Sequence, residues 1–137
     1  MSLEKFRHEA ERWLLQAEAD LKAAEGSIST GSFEWACFQA QQAAEKALKA
    51  LWLYNAHEPW EHSLVKLIQD FPDGPVKAKL DDLISHAKRL DKLYIPTRYP
   101  NGLPDSIPAE VYTAEEAQAP IQTSRELVRA IASLTAG

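Results

Sequence analysis

Residues 32–54 read SFEWACFQAQQAAEKALKALWLY, and the only charges in this run are Glu34, Glu45, Lys46 and Lys49. The apolar positions nearly encircle the helix that their spacing predicts. A helix with so little polar surface is either central in a bundle or shared between subunits, because apolar patches of that size are rarely left to water. We interpret Phe33–Tyr54 as the core helix and as the contact helix of a homodimer.

The preceding residues predict a long amphipathic helix. Apolar side chains recur in steps of three and four from Leu3 to Ile28, which is the spacing of one buried helical stripe. Ser2 can cap its first turn, while Gly26 and Gly31 bracket its expected end.

The rest of the chain also reads as helical. A short helix is expected over Ser63–Phe71, a long one over Val76–Tyr94, and a last one after Thr113-Ala-Glu-Glu116, which is a capping box. Pro120 is expected to kink that helix or to delay its regular part. Because no segment alternates with period 2, we predict a single all-α domain over residues 1–137. It is an antiparallel up-and-down bundle of four long helices and one short one.

A proline-rich connection precedes the last helix. Residues 94–113 read YIPTRYPNGLPDSIPAEVYT, with proline at every fourth position from Pro96 to Pro108. Such spacing argues against helix, and a connection this long in a bundle is usually functional or disordered. Its tyrosines, leucine, isoleucines and valine are untypical of disordered linkers. We expect an ordered loop packed along the bundle.

Composition limits the class of protein. The chain has 137 residues, a formal net charge of −5 and one cysteine, Cys37. A lone thiol suits a reducing compartment, no apolar run approaches the roughly 20 residues that span a bilayer, and the first residues are charged where a signal peptide is apolar. These features predict a cytoplasmic protein without membrane contact, and the overall acidity argues against a chain that coats nucleic acid.

The positive charge is concentrated beside the proline-rich loop. Residues 77–98 carry six basic and three acidic side chains, whereas residues 1–76 and 99–137 have net charges of −5 and −3. A guanidinium between aromatic rings offers a fork for phosphate and flat faces for a base. The predicted nucleotide-binding residues are Arg89, Lys92, Tyr94, Thr97, Arg98 and Tyr99. The alternative is that Arg98 pairs with a helix carboxylate and that the lysines are only solvated.

Three segments together resemble a known family. They are FEWACFQAQQAAEKALKAL (Phe33–Leu51), His62-Ser-Leu64, and the run from Ala87 to Pro100, of which YIPTRYPN is the most specific part. They resemble the HEPN domain, the higher-eukaryote and prokaryote nucleotide-binding domain, over about residues 3–135. The resemblance implies a helical bundle, a homodimer, and pairing with a minimal nucleotidyltransferase as a two-component or toxin–antitoxin system.

Many HEPN proteins are metal-independent endoribonucleases marked by arginine, four to six residues and histidine. That signature is absent here, because all four histidines, His8, His57, His62 and His86, precede the loop and none follows an arginine at that spacing. The resemblance therefore implies nucleotide binding at Tyr94–Pro100 without the family's RNase site.

Other candidate groups carry less weight. His62 could act as a general base, but the sequence shows no nucleophile beside it. His57 and His62, with Glu58 and Glu61, match no helical zinc motif. No glycine-rich phosphate loop is present, so we predict neither a metal nor a cofactor. Cys37 is expected to be buried, and the tryptophans to anchor the core or an interface; they are Trp13, Trp35, Trp52 and Trp60.

Three functions remain open from the sequence. We favour a non-catalytic module that binds a nucleotide or nucleic acid and serves a nucleotidyltransferase. The second is an endoribonuclease toxin with a nonstandard site, combining Arg98 with His62 or a tyrosine. The third is an assembly subunit whose loop is only structural.

Overall fold

A computed structural model describes residues 1–136, and no strand occurs among them. The all-α prediction is confirmed. The helices are α1 (Leu3–Ser29), α2 (Phe33–Tyr54), α3 (Leu64–Gln69), α4 (Pro75–Asp81), α5 (Ile84–Asp91), α6 (Pro108–Val111) and α7 (Ala114–Leu134), with a 3₁₀ turn at Pro100–Gly102. Over the same residues, no helix is long and apolar enough to cross a membrane.

The central helix of the bundle is α2. It packs against α1, α3, α5, α6 and α7. Its alanines, from Ala36 to Ala50, are fully buried and let these neighbours approach closely. The scarcity of polar residues on α2 is therefore explained by its central position in the bundle, the first of the two alternatives. The apolar surface that suggested a dimer through Phe33–Tyr54 is largely covered by the chain itself.

The ends of the long helices follow the sequence signals. The Ser2 hydroxyl accepts a hydrogen bond from the Lys5 amide at 3.2 Å, and Gly31 follows α1 with a φ of 81°, a conformation that favours glycine. Thr113 and Glu116 form both halves of the predicted capping box at the start of α7. The three residues between α1 and α2 make them antiparallel neighbours.

Pro120 lies inside α7 without ending it. A proline has no N–H, so the carbonyl of Glu116, four residues earlier, loses its helical donor. The buried Cys37 thiol fills this gap and donates to that carbonyl at an Sγ–O distance of 3.6 Å. Burial, followed by the nearby charges of Glu116 and Glu34, raises the pKa of Cys37 to about 12. The predicted burial of Cys37 is confirmed, and its thiol supports the helix that the proline interrupts.

The long helix predicted over Val76–Tyr94 is instead two short ones. α4 ends at Asp81 and α5 starts at Ile84, because Leu83 donates to the Leu80 carbonyl at 2.8 Å in a tighter turn. One i→i+3 turn barely changes the direction of the side chains. The apolar spacing from Leu80 through Ala87 therefore continues across the break, which hides it from sequence reading.

The loop between α5 and α7 is ordered, as expected. Thr97 and Pro108 are buried, and α6 packs against α2. The expectation that proline excludes helix throughout this loop was wrong, since the 3₁₀ turn begins at Pro100 and α6 begins at Pro108. Proline is accepted at the first position of a helical turn, where its missing N–H has no partner to lose.

The tryptophans divide into two kinds. The Trp52 indole donates to the Leu67 carbonyl at 2.9 Å and packs edge-on against Phe71, and Trp13 is half-buried. Trp35 and Trp60 are exposed, so they are not core residues, contrary to that part of the expectation. Trp35 lies at a helix start and Trp60 in a loop, and at such positions neither helical spacing nor composition distinguishes an exposed tryptophan from a buried one.

Candidate nucleotide-binding site

Three aromatic rings surround the guanidinium of Arg98. Its Cζ lies 4.4 Å from the ring centroid of Phe38, 4.6 Å from that of Tyr94 and 4.9 Å from that of Tyr99. Cation–π contacts at these distances each contribute on the order of 0.5–1 kcal/mol at exposed sites and more when water is excluded. Phe38 comes from α2 and the two tyrosines from the loop, so the guanidinium fastens the loop to the core helix.

The Arg98 donors are only partly used within the chain. Its Nε donates to the Tyr94 carbonyl at 2.9 Å, and no carboxylate within residues 1–136 pairs with it. Among those residues, the one buried side-chain polar atom without a partner is Nδ1 of His86, so the terminal nitrogens of Arg98 are at the surface. The alternative that Arg98 pairs with a helix carboxylate is therefore wrong, and its two terminal nitrogens have no partner among these residues and are not fully buried.

Backbone turns after α5 place Arg98 in this position. The Arg98 amide donates to the Ile95 carbonyl at 3.1 Å, and the Thr97 hydroxyl donates to the Leu93 carbonyl. Only 1% of Thr97 is exposed. Thr97 therefore holds the turn that presents Arg98, and its hydroxyl is out of reach of a ligand at the surface.

His62 lies against the same tyrosine. Its ring stacks on Tyr94, with centroids 6.2 Å apart and planes inclined by 12°. Its Nδ1 lies 3.2 Å from Oε2 of Glu45, and Nζ of Lys49 lies 3.1 Å from that same oxygen. Glu45 and Lys49 are buried, whereas 64% of the His62 side chain is exposed. A buried carboxylate next to Nδ1 orients the imidazole.

Sequence reasoning missed this buried polar group. Gln41, Glu45 and Lys49 recur every fourth residue in an apolar helix and so share one face. The Gln41 amide donates to Oε1 of Glu45 at 3.4 Å, and the Lys49 ammonium lies 5.8 Å from the Trp13 ring centroid. A polar stripe of this spacing inside the core helix was the available signal. Its partner His62 could not be found from spacing, because it belongs to another segment.

Asp91 connects the segment that carries His62 to the end of α5, close to Tyr94. Its carboxylate accepts hydrogen bonds from the Ser63 hydroxyl at 2.9 Å, the Leu64 amide at 2.7 Å and the Val65 amide at 3.0 Å. It thereby caps α3 from the end of α5, three residues before Tyr94. This cap holds the residues just before α3, including His62, beside the loop.

The basic residues of α5 flank the Arg98 site without joining it. Lys88, Arg89 and Lys92 are exposed. The pKa of Glu126 on α7 is lowered, first by a hydrogen bond from His86, then by one from Gln122, with a smaller part from the charge of Arg89. The charge of Arg89 is only the smallest of these causes, and Lys92 is the basic neighbour closest in sequence to the loop.

The histidines considered as metal ligands belong to separate clusters. His57 packs edge-on against Trp52 and Phe71, with centroids 6.3 and 6.4 Å away, whereas His62 stacks on Tyr94. Over residues 1–136, no three histidine, cysteine or carboxylate side chains come together in a way that could hold a metal ion.

The helical bundle that carries this arginine is shared with known proteins. The HEPN domain family matches residues 10–134. The chain belongs to the HEPN family. No curated protein is significantly similar to it.

Several solved structures resemble this HEPN protein. TT1696 from Thermus thermophilus is 42% identical, with a TM-score of 0.82 over 90% of this chain and 96% of that chain. The archaeal HEPN homologue ST0689 is 34% identical, with a TM-score of 0.75 over 93% and 98% of the two chains. An HEPN domain protein from Thermotoga maritima is 27% identical, with a TM-score of 0.65 over 90% and 96%. The HEPN domain is a nucleotide-binding or RNase-type helical module.

Proposed function

We propose that this HEPN protein binds a nucleotide or nucleic acid by holding a phosphate on Arg98, and that it does so without catalysing a reaction. The observation that carries the proposal is the position of the guanidinium. Three rings and one backbone carbonyl fix it, while its terminal nitrogens face solvent with no carboxylate beside them. A planar fork of charged donors matches the geometry of a phosphate.

The two tyrosine rings expected to take a base also hold the guanidinium. Arg98 covers part of the faces of Tyr94 and Tyr99 that were assigned to a base, and His62 stacks on Tyr94. Tyr99 still has 48% of its surface exposed and offers a ring to a base. Lys92 and Arg89 raise the local positive potential, and Thr97 acts indirectly through the turn.

The partner assignments rest on the family resemblance. We propose that the protein works with a minimal nucleotidyltransferase in the cytoplasm as a two-component or toxin–antitoxin pair, presenting the bound nucleotide to that enzyme. Co-purification with the product of the neighbouring gene tests the pairing. The homodimer remains a prediction to be tested by analytical ultracentrifugation, and the burial of α2 within the chain lends no support to a contact along all of Phe33–Tyr54.

The binding proposal is tested by titrating ATP and a short oligonucleotide into the protein and into Arg98→Met. Hydrogen bonds to a charged donor contribute about 1.5–3 kcal/mol each, so the variant should lose at least tenfold in affinity. Arg129→Met is the matched control, because Arg129 is an exposed arginine on α7 and should leave affinity unchanged. If neither ligand binds the unmodified protein, the assembly-subunit alternative replaces this proposal.

A second function has one observation in its favour. His62 is oriented by the buried Glu45 and shares Tyr94 with Arg98, so a proton-transfer group lies near the proposed phosphate site. This supports the alternative of an endoribonuclease with a nonstandard site. RNA cleavage without added metal, lost in His62→Ala and kept in His8→Ala, together with growth arrest on expression, would establish it. Intact RNA under conditions where RNA binds would exclude it.

A further inference from the structure

Two exposed aromatic side chains are connected to the Arg98 guanidinium, Tyr99 by direct contact and Trp35 through Phe38. Trp35 is 49% exposed and meets Phe38 edge-on, with centroids 6.0 Å apart and planes inclined by 78°. Phe38 lies beneath Arg98, and Tyr99 lies against Arg98 from the loop. The contacts therefore run from Trp35 to Phe38, from Phe38 to Arg98 and from Arg98 to Tyr99, and the first and last of these side chains are exposed.

Trp35 has no structural use that explains its exposure. It lies in the first turn of α2, where the neighbouring Ala36 and Cys37 are fully buried and carry the local packing. An indole held at the surface is characteristic of recognition surfaces, since it offers a large face with one end apolar and one end polar. The position of Trp35 next to the ring that supports Arg98 connects it with the phosphate site.

We propose that Trp35 and Tyr99 are stacking positions for two bases on either side of the phosphate held by Arg98, so that the ligand is a single-stranded oligonucleotide. This inference rests on the proposed phosphate contact and specifies its ligand class. Bases in a duplex stack on one another, and a protein ring can stack only on bases that are unpaired. Stacking tolerates all bases because each has a flat face.

Charge also favours a short single strand over other occupants. Arg98 is the one guanidinium among the contacting rings, so the patch offers a single phosphate contact. Two linked nucleotides place one phosphate there, whereas tight binding of a long duplex backbone needs several positive contacts along it. A second copy of this chain would have to supply a carboxylate to Arg98 as well as an apolar surface to Trp35.

The test compares ligands by fluorescence anisotropy at one salt concentration, with labelled single-stranded oligouridylate as the probe and UMP, UTP and a blunt duplex as competitors. The oligonucleotide should bind at least tenfold tighter than either mononucleotide or the duplex. Trp35→Ala should weaken oligonucleotide binding about 5- to 150-fold, the range for loss of one base stack, and leave UMP binding unchanged. Leu15→Ala removes an apolar side chain that is also more than half exposed and should have no effect.

The outcomes separate this inference from the binding proposal. If UMP and the oligonucleotide bind equally and Trp35→Ala changes neither, the two-base inference is overturned while phosphate binding stands. If no nucleic acid ligand binds, the binding proposal itself fails. If Trp35→Ala abolishes self-association and the oligonucleotide does not compete with it, the patch is a subunit interface and the inference is overturned. If Trp35→Ala does not fold, Trp35→Phe replaces it, because phenylalanine keeps an aromatic ring at this position. Trp35→Phe must still bind the oligonucleotide, and loss of this binding would reject the inference.

Discussion

Replacing Glu45 by glutamine should destabilise the protein more than any exposed charge substitution. The carboxylate and the Lys49 ammonium are 7% and 9% exposed and 3.1 Å apart. Removing one member of a buried ion pair typically costs about 3–5 kcal/mol, because the other charge stays buried without its counter-charge. Glutamine keeps an oxygen that can accept from Lys49, so we expect about 3 kcal/mol, a large part of the roughly 5–15 kcal/mol typical of a whole domain.

The two single substitutions should differ. After Lys49→Met, the Gln41 and Gln42 amides still donate to Glu45 and Nδ1 of His62 still lies 3.2 Å from it, so we expect a cost of about 1.5–2 kcal/mol, the lower part of the range for one charged hydrogen bond. After Glu45→Gln, the ammonium keeps an amide oxygen, Nδ1 of His62 at 3.4 Å and the Trp13 ring as neighbours, but it loses its only counter-charge within salt-bridge distance among residues 1–136. The double variant removes both charges at nearly constant volume and should lie within about 1 kcal/mol of the unmodified protein.

Urea denaturation of the four proteins measures this cycle. The coupling between the two sites should be at least about 2 kcal/mol. The exposed pair Glu9–Arg12, with side chains 31% and 66% exposed, is the control and should show less than about 1 kcal/mol. If the single substitutions each cost under about 1 kcal/mol, or if the double variant loses their sum, the buried pair is not a coupled unit and the reasoning fails.

Two further predictions concern the supports of the site. Asp91→Ala removes an acceptor of three hydrogen bonds and should lower the free energy of unfolding, measured in urea, by about 2–4 kcal/mol. The NMR signals of the His62 ring should also shift, because the ring loses its contact with Tyr94. Unchanged signals would refute the positioning role of Asp91. For Cys37, the raised pKa means that the protonated thiol stabilises the fold fully below the unfolded pKa of about 9 and loses this contribution as pH rises towards 12. The thermal midpoint should therefore fall less between about pH 8 and about pH 10.5 in Cys37→Ala than in the unmodified protein. An equal fall of the midpoint in the two proteins would contradict this.

The sequence predicted best what is encoded locally. The limits of α1 and α2, the Ser2 cap and the Thr113 capping box all depend on residues within a few positions of each other, and all were found in the structure. The break at Leu83 was hidden because the apolar spacing keeps its phase through one tight turn. The exposure of Trp35 was equally hidden, since helix period does not tell how many neighbours cover a given position.

The candidate site shows the same division. Tyr94, Arg98 and Tyr99 are neighbours in the sequence, so their aromatic and cationic character was visible as a pattern. Phe38 and His62 reach the same place from elements 56 and 32 residues before Tyr94, and only the packing of α2, α3 and α5 brings them there. Residues that complete a site across separate helices leave no spacing signal in a single sequence.

The thiol that supports α7 has a consequence for experiments on this protein. Cys37 is the single cysteine, which at first makes it attractive for attaching a spin label or fluorophore. A label there would remove the donor from the Glu116 carbonyl and introduce bulk between α2 and α7, so the labelled molecules would be those that had already opened. Distance measurements should therefore start from a Cys37→Ala background with new cysteines at exposed positions such as Lys22 and Gln118. If α7 stays helical beyond Pro120 in that background, packing against the bundle is enough to stabilise this helix without the thiol.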